Sequence, residues 1–216
     1  MDLSDPIRGV IPSVDGRVLQ VLARAGLPLT GHAVADLAGA SPEGTRKVLL
    51  RLREHGLVST QRAGAAVLYE ANREHLLWPG VELLVTSGDR AVSSVKQIIS
   101  TVIDGALPEQ DAARVTAALF GSVARRESRI DSDIDVLLLV PDDLDEPVVD
   151  GLVTDVIAAV TTATGNDCNV YVAARARFDE LVATDDPIVV SWDADAAVFH
   201  GPDFRRRLRG GPWDGR

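Results

Sequence analysis

The chain contains a single cysteine, Cys168, which excludes a disulfide framework and any cysteine-rich zinc site. Its four histidines, His32, His55, His75 and His200, are scattered and never take metal-ligand spacing. Aromatic residues are scarce at 4%, so the cores are expected to be built mainly from Ala, Val, Leu and Ile. No apolar run reaches the length of a membrane span, and the acidic start lacks the basic-then-apolar layout of a signal peptide. The expected compartment is therefore the cytoplasm, with no membrane partner.

What is present is a chain of 216 residues, 46% hydrophobic, enough for one large domain or two small ones with real cores. The net charge of −10 is unevenly placed. Residues 1–80 hold nine Arg/Lys against eight Asp/Glu; the remainder holds thirteen against twenty-four. Such asymmetry points to two units with different partners. Secondary-structure patterning intermixes helices and strands, so the expected fold class is α+β.

In the first part, Ser13 is placed to cap a helix with Val14, Val18, Leu19 and Leu22 on one face, ending near Gly26. Thr30 caps a short second helix with Val34 and Leu37 inward, stopped by Gly39. Ser41 caps a third, with Pro42 at its first position and Val48, Leu49 and Leu52 as its buried stripe. The segments LVSTQR and AAVLYEAN, joined by a tight AG, read as a hairpin. The order of helix, helix, turn, helix and hairpin over residues 12–75 resembles the winged helix-turn-helix domain of bacterial transcription regulators. That resemblance implies that the third helix enters the major groove of double-stranded DNA and that the hairpin touches the backbone. Arg46, Lys47, Arg51 and Arg53 on the helix and Arg62 at the hairpin tip are then the DNA-binding residues. A solvated basic face, or a module for protein docking, fits the same residues.

From Trp78 to Gly105 the apolar spacing is helical, through Val92, Val95, Ile98, Ile99, Val102 and Ile103, with Gly88 as a break point. This stretch reads either as a dimerisation helix, implying a homodimer, or as the first helix of the second domain. The expected domains are 1–77 and 78–216.

The second part carries the chemistry. RVTAALF and DVLLLV read as strands, the latter apolar enough to be buried on both faces. Residues 147–164 and 174–184 read as helices, and DCNVYVA and AAVFHG as further strands. Asp133 and Asp135 enter the second strand two residues apart, so they project to one face. Their mutual repulsion is roughly 3–4 kcal/mol at an effective dielectric near 20. No fold requires that cost, whereas a divalent cation removes it and nucleotide phosphates complete its shell. Upstream, Gly121 permits a sharp turn against a phosphate, Ser122 opens a helical turn whose N–H groups favour an anion, and Arg125 adds a cation. A phosphate cradle followed by a metal clamp suits nucleotidyl transfer.

Gly121, Ser122, Ala124, Arg125, Ser132, Asp133 and Asp135 together resemble the motif of the DNA polymerase β-type nucleotidyltransferase superfamily, in its small bacterial "minimal" branch. The resemblance covers residues 90–204. It implies that Asp133 and Asp135 hold Mg²⁺ or Mn²⁺, that Gly121, Ser122, Arg125 and Ser132 bind an NTP such as ATP, and that NMP passes to an acceptor hydroxyl. The acceptor is left open among protein, RNA and a small molecule, and the branch also suggests a toxin–antitoxin pairing. Two positions depart from the motif. Arg126 stands where a glycine is common. Asn169 stands where the family has a third carboxylate, a metal ligand and catalytic base, and Asp167, two residues earlier, is the residue placed to substitute as a metal ligand. The alternative is a DNA-binding regulator whose transferase-like domain senses nucleotide or dimerises.

Overall fold

The computed structural model describes residues 1–213, which divide into two compact units: residues 5–91, and residues 92 onward together with 1–4. In the first unit, α1 (Val14–Arg24), β1 (Leu29–Thr30), α2 (Gly31–Leu37) and α3 (Pro42–Glu54) precede the hairpin β2 (Val58–Ala63) and β3 (Ala66–Ala71), and α4 (Trp78–Asp89) follows. All three expected caps form. Ser13 accepts the Asp15 N–H, Thr30 that of Ala33 and Ser41 that of Gly44, each satisfying a backbone donor the helix itself leaves free. Val48, Leu49 and Leu52 are buried as the spacing predicts. Leu37 is not; it is exposed, and Ala38 takes the inward place. The hairpin turn is Gly64–Ala65, one residue later than expected, with Gly64 at φ 61°, the form that matches strand twist when glycine leads. The two-residue β1 adds a third strand in the order β1-β3-β2, all antiparallel. Trp78 lies in the core formed by Val18, Leu22, Val34, Leu49 and Leu52. Contacts group α4 with the first unit, which runs to Ala91.

The second unit begins with α5 (Ala91–Ala106), whose Val95, Ile99 and Ile103 are buried, and the short α6 (Glu109–Ala112). Then come β4 (Thr116–Phe120), the single turn α7 (Gly121–Ala124), β5 (Ile134–Val140), α8 (Glu146–Thr164), β6 (Cys168–Ala174), α9 (Arg175–Ala183), α10 (Pro187–Asp195), β7 (Ala197–His200) and α11 (Arg205–Leu208). The sheet order is β6-β5-β4-β7; β5 and β6 are parallel, the other pairs antiparallel. A parallel pair needs a crossover, and α8 supplies it, packing on β6 and ending at Gly165 in the left-handed region. The chain is thus α+β, with a mixed sheet consistent with the polymerase β-like fold.

Alternation divides the β5 side chains. Asp135, Leu137 and Leu139 face one way, Ile134, Val136 and Leu138 the other, and all but Asp135 are buried. On the Asp135 face, Leu137, Leu139, Ala118 and Ala173 meet Phe178, Leu181, Trp192 and Phe204. The few aromatics of the chain concentrate here, Trp192 packing edge-on to Tyr171 and Phe120 and parallel to Phe178. This core is therefore richer in aromatics than the mainly aliphatic packing the composition suggests. The strand directions bring the end of β4 and the starts of β5, β6 and β7 to one edge of the sheet.

Candidate functional site

At that edge Phe120 stands opposite Asp135, and Asp135 stands opposite Asn169. Gly121 follows at φ 70°, a left-handed conformation, and a Cβ built on it would overlap the Asp135 carboxylate. Backbone and carboxylate therefore meet here with no side chain between them, which only glycine permits. Asp133, one pleat before Asp135, is exposed, and its Oδ2 accepts a hydrogen bond from Asn169 Nδ2 at 3.1 Å.

Burial pushes the Asp135 carboxyl above its ordinary value; a hydrogen bond from Asn169 and the charge of Arg125 oppose the shift, and the charges of Asp133 and Asp195 add to it. Two hard oxygen donors whose charges repel fit a divalent cation. The Asn169 amide can add a neutral oxygen if it turns. Asp167 stands apart from the pair. Its carbonyl accepts the Ile134 N–H at 2.9 Å, its side chain is exposed ahead of the strand, and among the described residues no three His, Cys, Asp or Glu converge to hold a metal. The substitute ligand placed at Asp167 is thus not brought to the pair. Cys168 is buried, and burial together with the Asp135 charge pushes its thiol up to about 11, leaving it an unreactive core residue.

Ser122 lies in the turn α7, half-buried. Ser132 closes the loop before β5, its Oγ accepting the Arg129 N–H at 2.8 Å and its N–H bonding Arg129 O at 3.1 Å. Asn166 Nδ2 fixes the same loop through Ser132 O at 2.8 Å. Arg125 bonds Glu127 Oε2 through Nε at 3.0 Å and Asp195 Oδ2 through Nη1. The sequence pattern does not single out Asp195, because it does not resolve α10 and nothing local separates Asp195 from Asp193.

The backbone at Arg126 shows why a glycine suits this position. Its N–H bonds Val123 O at 3.2 Å and the Glu127 N–H bonds Ser122 O at 2.8 Å, a helix-ending closure that puts Arg126 at φ 60°. Left-handed backbone costs a residue with a Cβ about 1–2 kcal/mol, partly offset by the greater unfolded freedom of glycine. Arg126→Gly is therefore expected to stabilise the protein by about 0.5–1 kcal/mol. Thermal unfolding checks this, and a lower melting temperature would show that the arginine side chain contributes more than its backbone costs.

Residues 103–184 match the nucleotidyltransferase domain. The matched stretch contains Gly121, the paired aspartates and Asn169, and nucleotidyl transfer is the chemistry of that domain. No curated protein matches the chain. Among solved structures, human N-acetylserotonin methyltransferase is 21% identical, with a TM-score of 0.28, over 50% of this chain and 34% of its own. The chain thus spans about a third of that protein's length. The archaeal chromatin protein TrmBL2 is 18% identical, with a TM-score of 0.29, over 82% of this chain and 71% of its own. Neither score supports a shared fold.

The basic residues of the first unit fall into two groups. Lys47 pairs with Glu43 at 2.8 Å, and Arg51 pairs with Asp15. Arg46, Arg53 and Arg62 are exposed and, among the described residues, form no ion pair. The later basic run is engaged within its own unit. Arg205 donates to the carbonyls of Trp192, Asp193 and Ala196 at the end of α10, and Arg207 grips Asp179 with two bonds of 2.7 and 2.9 Å.

Proposed function

We propose that the second unit transfers NMP from an NTP, ATP being the first to test, to an acceptor hydroxyl on a protein, an RNA or a small molecule. The observation that carries this reading is the bare approach of Gly121 to Asp135, which sets the Gly121–Ser122 turn directly against a carboxylate of the pair. Asp133 and Asp135 would hold Mg²⁺ or Mn²⁺. When bound, that ion supplies charge to polarise the transferred phosphoryl group and to stabilise the leaving pyrophosphate. The chain's own residues do the rest. The Gly121–Ser122 turn presents N–H groups to the phosphates, and Arg125 adds positive charge from the end of α7. Incubation with each labelled NTP, Mg²⁺ and cell lysate tests the proposal; label reaching no macromolecule or small acceptor from any NTP would overturn it. The hydrogen bond from Asn169 to Asp133 favours a second reading, a nucleotide-sensing regulator, because an amide in that place cannot take the acceptor's proton.

The first unit, in this proposal, is a winged helix that binds double-stranded DNA in the cytoplasm, the protein acting as a homodimer. Its element order and the free cations Arg46, Arg53 and Arg62 support the reading. Replacing Arg46 and Arg62 together by Ala is expected to weaken duplex binding and to flatten its salt slope by about 0.9 for each phosphate no longer neutralised. Arg51→Ala should act mainly on stability, since its charge already serves Asp15. Fluorescence anisotropy across a salt series measures both, and an unchanged slope in the double variant would remove this docking face.

A further inference from the structure

Asp195 is placed where a carboxylate is disfavoured three times over. It is the last residue of α10, where the helix dipole opposes negative charge. Its side chain is only 12% exposed, and Oδ1 is buried with no hydrogen-bond partner among the described residues. It also lies close enough to Asp135 for the two charges to repel. Its compensation among the described residues is Arg125, which reaches Oδ2 from the end of the turn that begins at Gly121. Arg125 itself is 47% exposed, so packing does not demand the pair. Unfavourable placement of this kind marks a residue kept for function rather than stability.

We propose that Asp195 is a positioning residue of the nucleotide site, holding Arg125 over the Gly121–Ser122 turn so that its remaining N–H groups address the phosphates. The proposal rests on the nucleotidyl-transfer reading above. Glu127 and Asp195 grip Arg125 at Nε and Nη1. Among the described residues Nη2 and one Nη1 hydrogen take no partner. A guanidinium fixed in this way loses less freedom when it meets a phosphate. The β7 strand that Asp195 precedes pairs with β4, whereas Asn169 lies on β6 beyond β5. Asp195 therefore flanks the phosphate turn from the side opposite Asn169 and does not stand in for the missing third carboxylate.

Calorimetric binding of Mg²⁺–ATP and of Mn²⁺ alone, to wild type, Asp195→Asn, Asp195→Ala and Asp195→Glu, tests this. Asp195→Asn and Asp195→Ala are expected to weaken ATP binding by about tenfold, the loss of one well-placed charged hydrogen bond. Mn²⁺ binding should weaken less than ATP binding, since Asp195 acts on the cation only through its charge near Asp135, and Asp195→Glu should recover part of the ATP affinity. Melting curves identify a variant that fails to fold, in which case the Asn form, closest in shape, decides. Wild-type ATP binding that survives both substitutions overturns the positioning role alone. ATP binding that tightens shows Asp195 competing with phosphate for Arg125, and also overturns it. A wild-type protein that binds no Mg²⁺–NTP overturns the transfer reading, and the positioning role with it.

Discussion

Asn169→Asp is expected to raise nucleotidyl transfer by about 10²–10⁴-fold, the usual contribution of a general base. Asn169 sits opposite Asp135 on the parallel neighbour strand and donates to Asp133 at 3.1 Å. An amide in this position satisfies Asp133 but cannot accept a proton from an attacking hydroxyl. A carboxylate there would add a base and a third negative oxygen donor for the cation. The same change carries an opposite signature without ligand. It removes the donor to Asp133 and adds a like charge beside two others, so the metal-free variant should melt below wild type while its response to Mg²⁺ grows. Asp167→Asn is the control and should change neither quantity, since Asp167 does not reach the pair. Labelled-nucleotide transfer and melting curves with and without Mg²⁺ measure the set. Transfer that ignores Asn169→Asp but collapses in Asp167→Asn would reverse the assignment.

Local chemistry was legible in the sequence and long-range pairing was not. The caps Ser13, Thr30 and Ser41 could be read because each satisfies a donor two or three residues away. Asp133 and Asp135 could be placed on one face because strand side chains alternate regardless of fold. Gly121 reads as a sharp turn, but its reason, the carboxylate of a residue fourteen positions later, requires the β4–β5 register. Leu37 misleads because α2 has only seven residues, too few for a helical period to fix which way its last side chain points. The Arg51–Asp15 and Arg125–Asp195 pairs join residues 36 and 70 positions apart. No pattern in the chain announces either, so Arg51 looks like a free DNA contact and Asp195 like any acidic residue.

Asp135→Asn is expected to do two opposite things. With Mg²⁺–NTP at about a hundred times its dissociation constant, wild type should gain roughly 2.7 kcal/mol of stability, and the variant should lose most of that gain. Without ligand, the variant should be the more stable protein at neutral pH. The carboxyl of Asp135 is raised above its ordinary 3.8, first by burial and then by neighbouring charge. A group of this kind is ionised at pH 7 at the expense of the folded state, which holds its proton more tightly than the unfolded chain does. The penalty is present in full above the raised value, shrinks as pH falls through it and is gone below 3.8. An asparagine never carries it. The melting gap between variant and wild type in EDTA should therefore be wide at neutral pH and close as the solution is acidified toward 3.8. A gap that stays constant with pH would assign the effect to packing rather than charge. An undiminished ligand response in the variant would place the cation away from Asp135. Both results together would separate the burial of this carboxylate from any catalytic purpose, whereas the expected pair shows a site that gives up stability in the free protein to hold its ligand.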